Sequence, residues 1–172
     1  MDKTAQNLPK TLYLLRHVKS AWDNPNLSDF DRPLNKRGIA NGEFMSDLLS
    51  KKIKSVDAFF SSSSKRTILT SKFFIDKINV NKERIYYGEN LYHASSNYLI
   101  EFILSLKNSF STVIIVGHNP GFTDISNYFL GNMFYNMPTC GIVMIDFEVD
   151  NWKKIGQKNG KLFYKMFPKD YR

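Results

Sequence analysis

Apolar positions along this chain alternate between short continuous runs and longer stretches spaced three or four residues apart. Residues 11–15 (Thr-Leu-Tyr-Leu-Leu) form an apolar run that ends in charge, the pattern of a buried strand. Residues 56–60, 84–87 and 112–116 predict three more strands, the last of them Thr-Val-Ile-Ile-Val. Between these runs the spacing is helical. Asn35 can cap a helix over residues 36–52, with Phe44, Met45, Leu48 and Leu49 on one face. A second helix is expected over residues 65–78. Ser95 can cap a third that runs to residue 107, with Leu99, Phe102, Ile103 and Leu106 aligned. A fourth opens at Asn119 and Pro120, proline being permitted in a first turn. Past Gly131 the pattern changes: residues 140–149 and 161–167 read as two strands around a turn-rich segment, a hairpin at one side of the sheet.

Alternating strands and helices predict an α/β fold: a three-layer sandwich with a mainly parallel central sheet and helices on both faces. In such sheets ligands bind beyond the carboxyl ends of the strands. A length of 172 residues fits one domain, expected over residues 11–172 behind a flexible leader at residues 1–10. With 42% hydrophobic and 15% aromatic residues, the chain can bury a core of ordinary size. The single cysteine, Cys140, excludes an intrachain disulfide and suits a reducing compartment. It lies in an apolar run and reads as a core thiol. No stretch has the length of a membrane span, and residues 1–10 lack the apolar run of a signal peptide, so a cytoplasmic protein without a membrane partner is expected.

The net charge of +8 is unevenly spread. Residues 151–172 hold seven Lys or Arg against Asp170 alone. No nucleic-acid-binding module accompanies this excess, so no nucleic-acid partner is expected. A solvated basic edge accounts for it, one that can also attract an anionic substrate or acidic partner.

Three of the expected strands end in chemically loaded segments. The first runs into Arg16, His17, Val18, Lys19 and Ser20. The second runs into a serine tract and then Lys65, Arg66 and Thr67. The fourth runs into Gly117, His118, Asn119, Pro120 and Gly121. In a parallel sheet all three reach the same rim, bringing two arginines and two of the three histidines to one pocket. Guanidiniums can each donate paired hydrogen bonds to phosphate oxygens. The helix opening at Asn119 points free N–H groups at an anion. A neutral imidazole is a competent nucleophile, and nearby cations help keep it neutral. A metal site is the competing reading, but carboxylate and cysteine partners at ligand spacing are missing. Ordinary core histidines and surface arginines are the other alternative. A nucleotide-binding α/β protein would need a glycine-rich phosphate loop, and none has the spacing.

Residues 12–20 (Leu-Tyr-Leu-Leu-Arg-His-Val-Lys-Ser) resemble the opening motif of the histidine phosphatase superfamily, whose fold is also called phosphoglycerate-mutase-like. The usual form is Arg-His-Gly, then any residue, then Ser or Thr. Ser20 matches the last position, and Val18 replaces the glycine, which would narrow the backbone's approach to phosphate. Residues 31–38, 60–70 with Arg66, 91–94, 116–121 and 137–139 resemble later landmarks of the compact SixA-like branch of phosphohistidine phosphatases. The ordered set spans residues 11–168.

The resemblance implies that His17 attacks phosphorus and becomes phosphohistidine. It implies that Arg16, Arg66 and His118 bind the phosphoryl oxygens, and that no metal or organic cofactor is needed. Ser20 and Asn119 are further candidates for phosphate binding. Glu89 is the best positional match for a general acid, with a solvated loop carboxylate as the alternative. Asp23 is not assigned to binding, because a carboxylate would repel phosphate. Ser61 and Ser62 either donate near the site or simply turn the chain. Lys19 and Lys65 enrich the rim in charge, Trp22 is a candidate for the pocket wall, and His93 reads as structural or exposed. Short connections leave little material for a lid. The expected partner is therefore a phosphorylated protein, with phosphohistidine as the group removed. The alternatives are a small phosphorylated molecule hydrolysed by the same site, or a non-catalytic phosphate-binding module.

Overall fold

The computed structural model describes residues 9–172. The leader expected over residues 1–10 therefore lies outside the described residues for its first eight positions. At Lys10 the expectation is corrected: this residue opens the first strand, buried, and its Nζ donates to the carbonyls of Asn108 and Phe110 at 2.7 and 3.1 Å.

Six strands form one sheet: β1 (Lys10–Arg16), β2 (Ala58–Ser62), β3 (Ile85–Gly88), β4 (Thr112–Gly117), β5 (Ile142–Phe147) and β6 (Lys161–Met166). Their order across the sheet is β3-β2-β4-β1-β5-β6. The pairs β1–β4, β2–β4 and β2–β3 are parallel, while β1–β5 and β5–β6 are antiparallel. The hairpin thus closes one side of a mainly parallel sheet, as the pattern implies. Four helices complete the α/β fold: α1 (Lys36–Lys52), α2 (Lys65–Ile75), α3 (Ser96–Leu104) and α4 (Gly121–Leu130).

The inner strands β1, β2, β4 and β5 are largely buried on both faces, and the two-residue period sorts their side chains. In β1, Leu12 and Leu14 join a cluster with Leu99 and Ile103 of α3 and Phe122, Ile125 and Phe129 of α4. Tyr13 and Leu15 turn the other way, toward Met45 and Leu49 of α1 and Phe74 of α2. The alternation puts one helix pair on each face, which gives the three layers.

Local chemistry sets the helix ends. Asn35 caps α1 by accepting from the N–H of Gly38 at 2.8 Å. Gly38 has no room for a side chain, since a Cβ there would stand 2.1 Å from the carbonyl oxygen of Lys19. That close approach pins the segment after β1 against α1. The fourth helix starts one residue later than expected. Pro120 is its cap rather than its first residue, and the Asn119–Pro120 bond is cis. Strand β2 runs two residues past the expected end, taking in Ser61 and Ser62, both fully buried.

Candidate active site

β1, β2 and β4 end at one edge of the sheet, and β4 lies between the other two. His17 follows β1, Arg66 is in the first turn of α2 just after β2, and His118 follows β4. They meet at a cavity of about 320 Å³ lined also by Arg16, Lys19, Ser20, Trp22, Asp29, Arg32, His93, Asn119 and Thr139.

His17 is 8% exposed. Its Nδ1 lies 2.7 Å from the carbonyl oxygen of Val18. A carbonyl only accepts, so Nδ1 carries the proton and the lone pair sits on Nε2. The Nε–H of Arg66 approaches that lone pair at 3.4 Å. Burial lowers the His17 pKa to about 3; the Val18 hydrogen bond opposes this, and the charges of Arg66, Arg16 and Arg32 reinforce it. The ring is therefore a neutral imidazole with its lone pair turned to the guanidinium.

His118 is fixed the same way. Its Nδ1 accepts from Nη2 of Arg66 at 3.3 Å, and its Nε2 donates to Oγ of Ser62 at 2.9 Å. Burial first, then His17, Arg66 and His93, lower its pKa to about 2, against a weaker pull from Asp29. The two rings lie 5.2 Å apart.

The two arginines are held from opposite sides. Arg16 donates from Nη1 to the carbonyl of Met137 at 2.7 Å, and its buried Nε finds no partner among the described residues. The residue also lines the cavity, where its charge favours an anion. Arg66, only 1% exposed, is gripped by Asp29: Nη1 donates to its backbone carbonyl at 2.6 Å and Nη2 to Oδ2 at 3.0 Å. The contacts of Arg66 to His17 and His118, at 3.3–3.4 Å, are its long ones. Those are the donors a phosphoryl oxygen would claim.

Asp29 is the hub that the residue pattern does not disclose. Its Oδ2 also accepts from Tyr92 Oη at 2.5 Å and His93 Nε2 at 3.0 Å, and its Oδ1 from both Nε and Nη2 of Arg32 at 3.1 and 2.8 Å. Burial works against the charge, but these hydrogen bonds and Arg66 outweigh it and hold the carboxyl far below the usual carboxylate range. The Lys65 N–H, bonded to the Phe30 carbonyl at 2.9 Å, ties this loop to the start of α2.

Several expectations are corrected here. His93 is exposed, as expected, but it also lines the cavity, its ring tilted by 34° and 4.8 Å from that of His118. Glu89 sits in a short 3-10 turn, exposed, and is not among the lining residues. Asn119 lines the cavity, but its amide is spent on Asn136, Met137 and Thr123. The helix behind it offers little to an anion, since the Phe122 N–H is taken by the His118 carbonyl and the Thr123 N–H by Asn119. Val18 does not narrow the phosphate approach. It is fully buried in the α1–α2 core, and its N–H donates to Thr70. Ser20 lines the cavity and Ser62 anchors His118; Ser61 turns to its neighbour's carbonyl. Trp22 forms part of the wall while 76% exposed, with the Arg32 guanidinium 3.4 Å above its ring. Asp23 is exposed and outside the lining. Among the described residues, no group of three or more His, Cys, Asp or Glu side chains is arranged to hold a metal ion, and no helix is long and apolar enough to cross a membrane.

The site gathers two arginines around a neutral histidine at the carboxyl edge of an α/β sheet, and known proteins share the fold. Residues 12–87 match the model of the histidine phosphatase superfamily (branch 1). A solved chain from Agrobacterium tumefaciens, assigned as the phosphohistidine phosphatase SixA, superposes with a TM-score of 0.79 at 27% identity, covering 94% of this chain and 99% of that one. A protein histidine phosphatase SixA complexed with tungstate has the same fold, with a TM-score of 0.77 at 19% identity over 94% of this chain and 99% of its own. An uncharacterized chloroplastic protein of Arabidopsis thaliana is 24% identical over 168 residues, 93% of this chain and 77% of that protein. Over residues 12–87 the chain is similar to the histidine phosphatase superfamily, and its fold is that of the SixA structures.

Proposed function

We propose that this protein is a phosphohistidine phosphatase that works through a phosphoryl group carried on His17. The observation that carries the reading is a neutral His17, its lone pair on Nε2, meeting the Nε–H of Arg66 at 3.4 Å in a cavity that Arg16 and His118 also line. His17 supplies the nucleophile and the arginines supply charge and donors for the anion.

In the first step Nε2 of His17 bonds to phosphorus and the bond to the leaving group breaks. Arg66 turns its Nε and Nη2 donors from the imidazoles to the phosphoryl oxygens, and Arg16 adds its charge beside them. His118 binds an oxygen only as a donor. Its Nδ1 accepts from Arg66, so it donates only after taking the proton of a monoanionic phosphoryl group as that group displaces the Arg66 contact. In the second step water bonds to phosphorus and the electron pair of the N–P bond returns to His17.

A protein-borne substrate is favoured by the open mouth, where Trp22 is 76% exposed and the side chains of His93 and Asp29 are 47% and 40% exposed. No added helices stand over the site among the described residues. The test is phosphate release from a phosphohistidine-bearing protein, p-nitrophenyl phosphate and common sugar phosphates. Preference for the protein supports the reading, and preference for a sugar phosphate makes this a small-molecule phosphatase. Release from none, with tight phosphate binding, makes it a binding module.

A further inference from the structure

We propose that His93, oriented by Asp29, is the proton donor to the leaving group and the proton acceptor from water; this inference rests on the phosphatase reading above. His93 lines the cavity on the loop between β3 and α3. Its backbone is held in the left-handed region at φ 47°, which a histidine adopts at a steric penalty. The loop is pressed against α4 at Gly121, where a Cβ would stand 2.4 Å from the Ala94 carbonyl oxygen. This close packing fixes the ring beside His118.

The chemistry follows from which nitrogen is occupied. Asp29 is ionised and can only accept, so Nε2 of His93 donates to Oδ2 at 3.0 Å. No hydrogen bond reaches Nδ1 among the described residues. In the imidazolium form Nδ1 carries the proton that Asp29 does not hold, while Asp29 orients the ring at the cavity wall. Four groups face the ring: Asp29 from the loop before α1, Arg66 from α2, His118 from the segment after β4, and Tyr92 beside it, whose ring lies 4.3 Å away.

Placement comes from Arg66. Its Nε lies 3.4 Å from Nε2 of His17, and its Nη2 lies 3.4 Å from Nε2 of His93. Nε and Nη2 form the edge with which an arginine grips two oxygens of one phosphate. A phosphoryl group on that edge lies between the rings of His17 and His93. As the His17 Nε2–P bond forms and the bond from phosphorus to the leaving oxygen breaks, that oxygen takes the Nδ1 proton of His93. Water then bonds to phosphorus, its proton passes to Nδ1, and the N–P pair returns to His17. Glu89 has no part in this cycle.

The test compares kcat/KM, which reports transfer to His17, for two aryl phosphates. Phenyl phosphate needs a proton on its leaving oxygen, and 2,4-dinitrophenyl phosphate does not. His93→Gln keeps a donor for Asp29 but cannot supply the proton. It should lose on the order of 10²-fold or more on phenyl phosphate and about threefold or less on the dinitrophenyl ester. His93→Asn, better suited to the left-handed backbone, should show the same split, with circular dichroism confirming the fold. Equal loss on both esters, or loss on neither, overturns the assignment and leaves the phosphatase reading standing if the unmodified protein turns over both. An unmodified protein that hydrolyses neither ester nor a phosphohistidine protein overturns both.

Discussion

The Nδ1 of His17 lies 2.7 Å from the carbonyl oxygen of Val18, and that one hydrogen bond decides which nitrogen can attack phosphorus. Val18 can hold this position because its own side chain is locked in the core and its N–H is bonded to Thr70. The nucleophile is thus aimed by backbone that belongs to the packed interior rather than to a loop. Replacing Val18 by Ala removes two buried methyl groups without touching the cavity. It should lower stability by about 2 kcal/mol in urea unfolding. A Val18→Ala protein as stable as the parent would place the side chain elsewhere.

Burial of two neutral imidazoles makes stability fall with acid. The pKa values of His17 and His118 drop from an ordinary 6.5 to about 3 and about 2, so the unfolded chain binds more protons once the pH is below 6.5. Stability is complete above that pH and declines as pH falls through the window down to about 3. Each ring contributes a slope approaching 1.4 kcal/mol per pH unit, roughly, in the middle of the window. Urea unfolding between pH 7.5 and 4.5 reads the slope directly. His118→Asn should remove about half of the part due to these two rings. An unchanged slope would mean that His118 is not buried neutral.

Arg66 makes side-chain contacts with His17, His118, His93 and Asp29 at once, through three different nitrogens. A lysine has one nitrogen and no fork. Arg66→Lys keeps the charge but should lower kcat/KM by about 10²-fold or more. Steady-state rates with p-nitrophenyl phosphate check this, and a loss under fivefold would show that charge alone suffices.

The two acidic candidates should respond oppositely. Glu89 is exposed and outside the cavity lining, so Glu89→Gln should keep kcat/KM within about twofold, as surface changes usually do. Asp29 accepts from Tyr92, His93, Arg32 and Arg66 together, so Asp29→Asn should cut kcat/KM by on the order of 10²-fold. Paired assays on the two variants settle the order, and a larger loss at Glu89 would reverse it.

Much of this arrangement could be read from the residue pattern. The bounds of α1, its Asn35 cap and the convergence of Arg16, His17, Arg66 and His118 all follow from periodicity and from the rule that parallel strands deliver their ends to one rim. Other features escaped for physical reasons. Ser61 and Ser62 look like loop residues, yet they extend β2 because the Ser61 hydroxyl donates to the next carbonyl and the Ser62 hydroxyl accepts from His118, which comes from 56 residues away. Asp29 sits in a polar stretch where aspartate ordinarily turns the chain. Nothing nearby announces a pairing with His93 across 64 residues. His93 lacks a periodic or motif partner, and only the packing of its loop against Gly121 brings it to the cavity. Glu89 was favoured by its position after β3, but the 3-10 turn there leaves it on the surface.

The most direct measurement is the site of phosphorylation during turnover. The protein is mixed with a labelled phosphohistidine protein, quenched in alkali within a turnover, digested and sequenced by mass spectrometry. The label should sit on His17, stable in base and released by acid. His17→Ala should carry none, with its fold intact by circular dichroism and its turnover reduced by roughly 10⁴-fold or more. Label on another residue, or undiminished turnover in His17→Ala, would contradict the assignment of His17 as the nucleophile.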